Sequence, residues 1–249
     1  MAEIPLFELN PQLDRAGAAQ RFQAEGRAQL RDFLTEPAAR TIHRVLSAET
    51  PWGIAWRTAA GGAQALRRQQ MDPARLKALG PEVAAAMRGQ DYSFVYARYP
   101  MLDAYKEGWN EHPALDLLLE HINAEPFMAL VREVTGMPEL LKADAQATLF
   151  APNHFLALHD DSHVAEGWRV AYVMNFCAEP WRPDWGGYLQ FLDGDGDIVA
   201  GYRPRFNALN LFRVPARHNV SYVPPFAPAG RFAITGWFRA GSGSGHATG

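Results

Sequence analysis

The segment Phe155-Leu156-Ala157-Leu158-His159-Asp160-Asp161 carries two potential metal donors two residues apart. In a strand alternate side chains share a face, so His159 and Asp161 are expected to point together while Asp160 points away. Phe155 and Ala157 continue that face, which makes it the inner one. A histidine and a carboxylate on the inner wall of a barrel supply two of three cis ligands. The third must come from a distant strand, because sequence neighbours cannot close a facial triangle. His218, just before the expected strand Val220–Val223, is the best candidate. Two imidazoles and one carboxylate leave three positions of an iron(II) ion open, enough for a bidentate 2-oxo acid and O₂. A dianionic co-substrate also needs a fixed cation. Arg231 opens the last run, Arg-Phe-Ala-Ile-Thr-Gly-Trp-Phe, where period two puts Arg231, Ala233, Thr235 and Trp237 on one face. A guanidinium meets a carboxylate bidentately, so Arg231 is the expected anchor, with Trp237 lining the same cavity nearer the metal.

In order, His159-Asp160-Asp161, Trp185-Gly186-Gly187-Tyr188-Leu189, His218 and Arg231-Phe-Ala-Ile-Thr-Gly-Trp237-Phe resemble the prolyl-4-hydroxylase-like branch of the 2-oxoglutarate/Fe(II)-dependent dioxygenases. The resemblance runs from Leu140 to Arg239, and more weakly over Leu30–Leu46. A bare His-x-Asp is common; the ordered set with these spacings is specific. The resemblance implies an α+β fold, a double-stranded β-helix (a cupin-type jelly roll) supported by N-terminal helices. It implies Fe(2+) held by His159, Asp161 and His218, 2-oxoglutarate held through its distal carboxylate by Arg231, O₂ as the second co-substrate and L-ascorbate as an accessory. The implied reaction decarboxylates 2-oxoglutarate to succinate and CO₂ and hydroxylates a C–H bond. A prolyl residue of a protein or peptide is the leading substrate, and a free amino acid or other small metabolite is the alternative. Two positions depart from the family pattern. Phe150 stands where relatives carry a tyrosine hydroxyl for the distal carboxylate, and Asn175 falls at a second family tyrosine, where its amide can still donate. A non-catalytic metal-binding module of cupin type is the reading from another class, and Phe150 is the feature that leans towards it.

The elements that must position these residues fall into two regimes. From about Gly26 to Met137 the pattern is mainly helical, after one strand-like run, Ala28–Phe33. Helices are expected from Thr35-Glu-Pro, from Asp72-Pro73 with a restart at Gly80-Pro81, from Pro113, and around Phe127–Val134 with a stop at Gly136. After Leu140, short runs rich in Val, Tyr, Phe and Leu alternate with Gly, Pro, Asn and Asp, as in an antiparallel barrel or jelly roll. Helices first and strands second argue α+β. We therefore expect one oxygenase domain over residues 1–249, with helical support over 26–139, a jelly-roll core over 140–239 and a flexible tail over 240–249.

Composition sets the remaining bounds. With 249 residues, 48 % hydrophobic and a formal net charge of −3, the chain can bury a sizeable core and shows no basic footprint for nucleic acid or anionic lipid. One cysteine, Cys177, excludes an internal disulfide and reads as a buried small hydrophobe. No leader pattern and no membrane-length apolar run is visible, so a cytoplasmic protein is expected. His154 and His163 read as solvated loop histidines. The aromatic run Tyr92–Tyr105 reads as core and strand, with a substrate-binding or lid loop as the sharper alternative. Asp193-Gly-Asp-Gly-Asp lacks the later bidentate glutamate of a calcium loop and reads as a hairpin turn.

Overall fold

The computed structural model describes residues 6–58, 62–89, 92–109, 111–162, 167–177 and 180–241. Its elements run in the order α1 (Arg15–Glu25), β1 (Arg27–Arg31), α2 (Glu36–Arg44), β2 (Gly53–Arg57), β3 (Gln64–Leu66), α3 (Pro73–Arg88), β4 (Phe94–Tyr99), α4 (Met101–Glu107), α5 (Pro113–Asn123), α6 (Glu125–Thr135), β5 (Leu140–Ala143), β6 (Gln146–Phe150), β7 (Phe155–His159), β8 (Trp168–Asn175), β9 (Leu189–Leu192), β10 (Ile198–Tyr202), β11 (Ala208–Arg213), β12 (His218–Val220) and β13 (Arg231–Ala240). All strand pairings are antiparallel, in the order β1-β11-β8-β13-β6-β4-β7-β12-β9-β10, with β2 and β3 hanging from β4 and β5 from β13. The sheet folds over so that β7, β12 and β9 face β11, β8, β13 and β6 across a cavity. The expected α+β fold with a double-stranded β-helix is what forms.

Strand alternation explains the layering. On β8, Val170, Tyr172 and Met174 point to the helices, while Ala171 and Val173 point into the barrel. The helix side is one continuous core in which Leu115, Leu118, Ile122, Phe127, Leu130 and Val131 pack on Leu209, Leu211, Ile234 and Phe238. Burial of this apolar area is the main force holding the support helices to the sheet. Two helix ends follow the expected chemistry. Asp72 caps α3 by accepting from Ala74 and Arg75 N–H, and Gly136 closes α6 in the left-handed region.

The N-terminal regime differs from the sequence reading. It contributes two further strands, β2 and β3, while the strand expected in Tyr92–Tyr105 forms as β4 and is inserted between β6 and β7 in the barrel wall. Gly80-Pro81 does not restart a helix but lies inside one, α3. Leu79 and Val83 flank the proline and are buried against Trp56, Val95 and Phe155, so packing offsets the lost backbone bond. Asp193 accepts from Asp195 and Asp197 N–H, forming the expected hairpin turn between β9 and β10. The tail beyond Gly241 lies outside the described residues.

Candidate active site

The cavity between the two walls measures about 300 Å³. Strand β7 delivers His159 into it, and β12 delivers His218 directly opposite, with the ring centroids 4.1 Å apart. Each Nδ1 meets a backbone carbonyl two residues back, Ala157 O at 2.9 Å and Ala216 O at 2.7 Å. A carbonyl only accepts, so both Nδ1 atoms carry the proton and both Nε2 lone pairs are free. Those Nε2 atoms lie 3.4 Å and 3.5 Å from the two carboxylate oxygens of Asp161. Burial first, and then the neighbouring His159, holds the His218 imidazole well below its ordinary pKa, so it stands neutral at pH 7. Three acceptor atoms within 4.8 Å of one another repel unless a cation lies between them. Two imidazoles and one carboxylate, with the opposite side of the cavity open, are the donor set that suits iron(II) with exchangeable positions.

Asp161 reaches this cluster by a route that strand parity does not describe. Strand β7 stops at His159, and Asp161 adopts φ +57°, in the left-handed region that aspartate tolerates better than most residues. That turn swings its carboxylate back beside the two histidines. Asp160 remains outside, its Oδ1 accepting from Ser162 N–H; hydrogen bonding from the Ser162 side chain, and then from that N–H, holds its carboxyl below the ordinary range.

Arg231, at the start of β13, is only 2 % exposed, yet no carboxylate of the described residues lies within ion-pair distance of it. Its Nε donates to Asn175 Oδ1 at 3.2 Å, and its Cζ lies 5.3 Å from the centre of the Phe150 ring. Burial pulls the guanidinium down to about 10, which leaves it charged at neutral pH. A buried, charged fork facing a cavity without a partner is a receptor for a carboxylate. Asn175 is not on the cavity wall. Its Oδ1 accepts from the guanidinium and orients Arg231.

Trp237 lines the cavity between these two ends, and its Nε1–H donates to Asp161 Oδ2 at 2.9 Å. Trp168 stacks on it at 4.1 Å and 6°, which fixes the indole plane. Trp237→Phe keeps the stack and removes only the donor. We expect metal affinity to fall by about tenfold, the range of other hydrogen-bond partners of ligating groups, with the melting temperature nearly unchanged. Metal titration of the two proteins checks this, and equal affinities would remove Trp237 from that role.

Two residues of the aromatic run expected as core and strand line the cavity wall. The Tyr92 ring lies 5.7 Å from that of His159, tilted by 40°, and Tyr96 stacks on Phe150 at 5.1 Å and 25°. Their only signal is the alternation Tyr92-x-Phe94-x-Tyr96, which reads as strand but does not reveal which wall the strand joins. His154 is half-buried and hydrogen-bonded rather than a solvated loop histidine: its Nδ1 lies 3.1 Å from Ala151 N and 3.2 Å from Leu149 O, and burial lowers its pKa. It pins the β6–β7 turn. His163 lies outside the described residues. The Gly186 backbone (φ +62°, ψ −145°) is open to glycine alone, and a Cβ there would sit on the Tyr222 carbonyl oxygen. Gly186→Ala is expected to destabilise the protein by about 3 kcal/mol or more, read as a fall in the urea midpoint. Cys177 is fully buried beside Arg231 and pushed up to about 12, so native protein is expected to resist thiol reagents at pH 8 and to react only on unfolding.

The sequence model of the 2OG-Fe(II) oxygenase superfamily matches residues 145–239, the span that contains all of these inward donors. No curated protein matches the chain in sequence. Among solved structures, a Pseudomonas putida prolyl-4-hydroxylase is 20 % identical at a TM-score of 0.53, covering 90 % of this chain and 98 % of its own. A 2OG-Fe(II) oxygenase family oxidoreductase from Burkholderia pseudomallei is 15 % identical at 0.58, covering 96 % of each chain. A Trichoplax adhaerens prolyl hydroxylase, in complex with a hypoxia inducible factor peptide fragment, is 14 % identical at 0.57, covering 91 % and 89 %. Residues 145–239 thus resemble the 2OG-Fe(II) oxygenase superfamily in sequence, and the chain shares its fold with solved prolyl hydroxylases.

Proposed function

We propose that this chain is a 2-oxoglutarate- and Fe(II)-dependent oxygenase that hydroxylates a prolyl residue of a protein or peptide, with His159, Asp161 and His218 holding iron and Arg231 holding the distal carboxylate of 2-oxoglutarate. The observation that carries the residue roles is the pairing, in one cavity, of a lone-pair cluster at one end with a buried guanidinium further along that no carboxylate of the described residues neutralises. Iron(II) with 2-oxoglutarate and O₂ supplies an oxidant for C–H bonds and yields succinate and CO₂. The chain's own residues bind and orient. The Nδ1–carbonyl bonds of His159 and His218 fix each ring so that Nε2 faces the metal position, and the Trp237 indole fixes the Asp161 carboxylate. Arg231, steered by Asn175, sets the long axis of the co-substrate. Tyr92, Leu156 and Trp168 on the cavity wall offer an apolar surface that suits a pyrrolidine ring. L-ascorbate is the accessory reductant of this reading and the cytoplasm its compartment; no described helix is long and apolar enough to cross a membrane.

Support for a peptide substrate comes from the Trichoplax neighbour, which was captured with one. The test is a panel of proline-containing peptides and free amino acids with iron(II), 2-oxoglutarate and air, read as succinate and as a gain of one oxygen by mass spectrometry. Peptide-dependent succinate with hydroxyproline supports the proposal. Turnover with a free amino acid or small metabolite alone overturns the substrate and keeps the chemistry. Metal binding without succinate in any arm favours a non-catalytic module.

A further inference from the structure

Outside the barrel, two chain segments bring three arginines to one groove of about 440 Å³. Arg31 ends β1, and Arg203 and Arg205 flank Pro204 in the loop Arg203–Asn207 between β10 and β11. The register sets their approach, because Arg31 pairs with Ala208, the residue at which that loop ends. The loop is then locked. Asn207, 3 % exposed and at φ +52°, accepts from Leu34 N–H at 3.1 Å, donates its amide to Leu34 O at 2.8 Å, and receives Phe33 N–H on its own carbonyl at 3.4 Å. Buried Pro204 wedges against Gly187 on the inner side. The arginines are therefore presented by a fixed frame and do not converge by chance of a floppy surface.

Their charges are not compensated. Neighbouring cations have carboxylate partners: Arg21 pairs with Asp14 at 3.7 Å, Arg27 with Glu25 at 3.1 Å and Arg40 with Glu36 at 2.7 Å. Arg31, Arg203 and Arg205 have none within 4.0 Å among the described residues, although the exposed Asp32 also lines the groove. Arg31 reaches only Gln29, at 3.5 Å, and the Nε atoms of Arg203 and Arg205 are buried without an acceptor. The Arg205 guanidinium is pulled below its ordinary value, by burial first and then by the like charges of Arg31 and Arg203. Three mutually repelling forks against one carboxylate leave a net positive pocket, and an anion turns that repulsion into attraction. A planar carboxylate saturates one or two forks, whereas a tetrahedral oxyanion has oxygens for three. Trp181 and Phe206 complete the rim.

We propose that Arg31, Arg203 and Arg205 form a binding site for a phosphate-class oxyanion, free or as a phosphomonoester, on the outside of the barrel and separate from the cavity that holds Arg231. The separation is thin. A Cβ placed on Gly187 would touch Trp181, Pro204 and Arg231 at 3.4 to 3.5 Å, so one layer of side chains divides the two positions.

The experiment is calorimetric titration of the full chain, with inorganic phosphate in one arm, phenyl phosphate in a second and acetate in a third. Expected are millimolar or tighter phosphate binding that weakens as salt rises, acetate at least tenfold weaker, and a tenfold or larger loss in Arg203→Gln/Arg205→Gln. Phenyl phosphate binding tighter than inorganic phosphate assigns the rim to an ester; equal affinities assign the site to the free ion. Arg182→Gln, at an exposed arginine near Asp184, should leave binding unchanged. Because Arg231 is itself an unpartnered cation, Arg231→Met is titrated as well and should retain phosphate binding. If binding disappears in Arg231→Met and survives in the double variant, the anion sits inside the barrel and the proposal fails. No binding to the wild-type chain overturns it equally. Should the double variant not fold, Arg31→Gln, at an exposed strand end, carries the same expected loss.

Discussion

Replacing His159 or Asp161 by alanine is expected to abolish iron-dependent succinate formation, to below about one-hundredth of wild type, while Asp160→Ala keeps most of it. The contrast is sharp because the two aspartates are adjacent and differ only in where the backbone turns. Asp161 lies 3.4 Å from His159 Nε2 and 3.5 Å from His218 Nε2, whereas Asp160 caps Ser162 in solvent. Losing one of three donors removes the charge or the geometry that retains the metal. Losing the Asp160 carboxylate removes one local turn bond, worth about 1 kcal/mol. Alanine at position 161 also meets the positive φ there, so melting curves accompany the assay, with Asp161→Asn as the variant that tolerates this backbone. Equal losses in Asp160→Ala and Asp161→Ala, with both proteins folded, would remove Asp161 from the metal site.

The second large effect is at Arg231. Truncating one partner of a buried charge-assisted pair costs about 2–5 kcal/mol, so Arg231→Met should raise the 2-oxoglutarate requirement by about a hundredfold or more. Stability should move the other way. In the free protein the buried guanidinium has, among the described residues, one hydrogen bond, to Asn175, and no carboxylate, so an apolar side chain of similar length is expected to leave the melting temperature equal or higher. Asn175→Ala frees the Nε end without removing the charge and should give a smaller rise, about tenfold. A fall in stability in Arg231→Met with an unchanged 2-oxoglutarate requirement would make Arg231 a structural cation and place the anchor elsewhere.

What the sequence reveals and what it hides follows from which physics acts locally. Alternation on β8 and β13 and the 3.6-residue stripe on α5 and α6 are visible because one face of each is buried in one continuous core. The insertion of β4 between β6 and β7 is invisible, because pairing partners far apart in sequence leave no periodic mark. Pro81 misleads for the same reason: packing of Leu79 and Val83 on Trp56 and Phe155 decides the helix, and that partner lies elsewhere in the chain. Strand parity favours Asp161 over Asp160, yet the structure brings it to the histidines by a left-handed turn after the strand has ended. The contact of Asn175 Oδ1 with Arg231 joins β8 to β13 and leaves no mark in the sequence. Phe150 lies on the wall as a flat surface between Tyr96 and the Arg231 guanidinium, so its missing hydroxyl is offset in part by a cation–ring contact.

In the proposed function, His159, Asp161 and His218 hold iron(II) while Arg231 holds 2-oxoglutarate in the same cavity. Adding both to the folded chain without oxygen tests it most directly, because a 2-oxo acid chelating iron(II) gives a visible metal-to-ligand charge-transfer band. We expect the band in the wild-type chain, its loss in His159→Ala, and its return in Arg231→Met only at much higher 2-oxoglutarate. A folded wild-type chain that binds iron(II) yet shows no band at saturating 2-oxoglutarate would contradict the account.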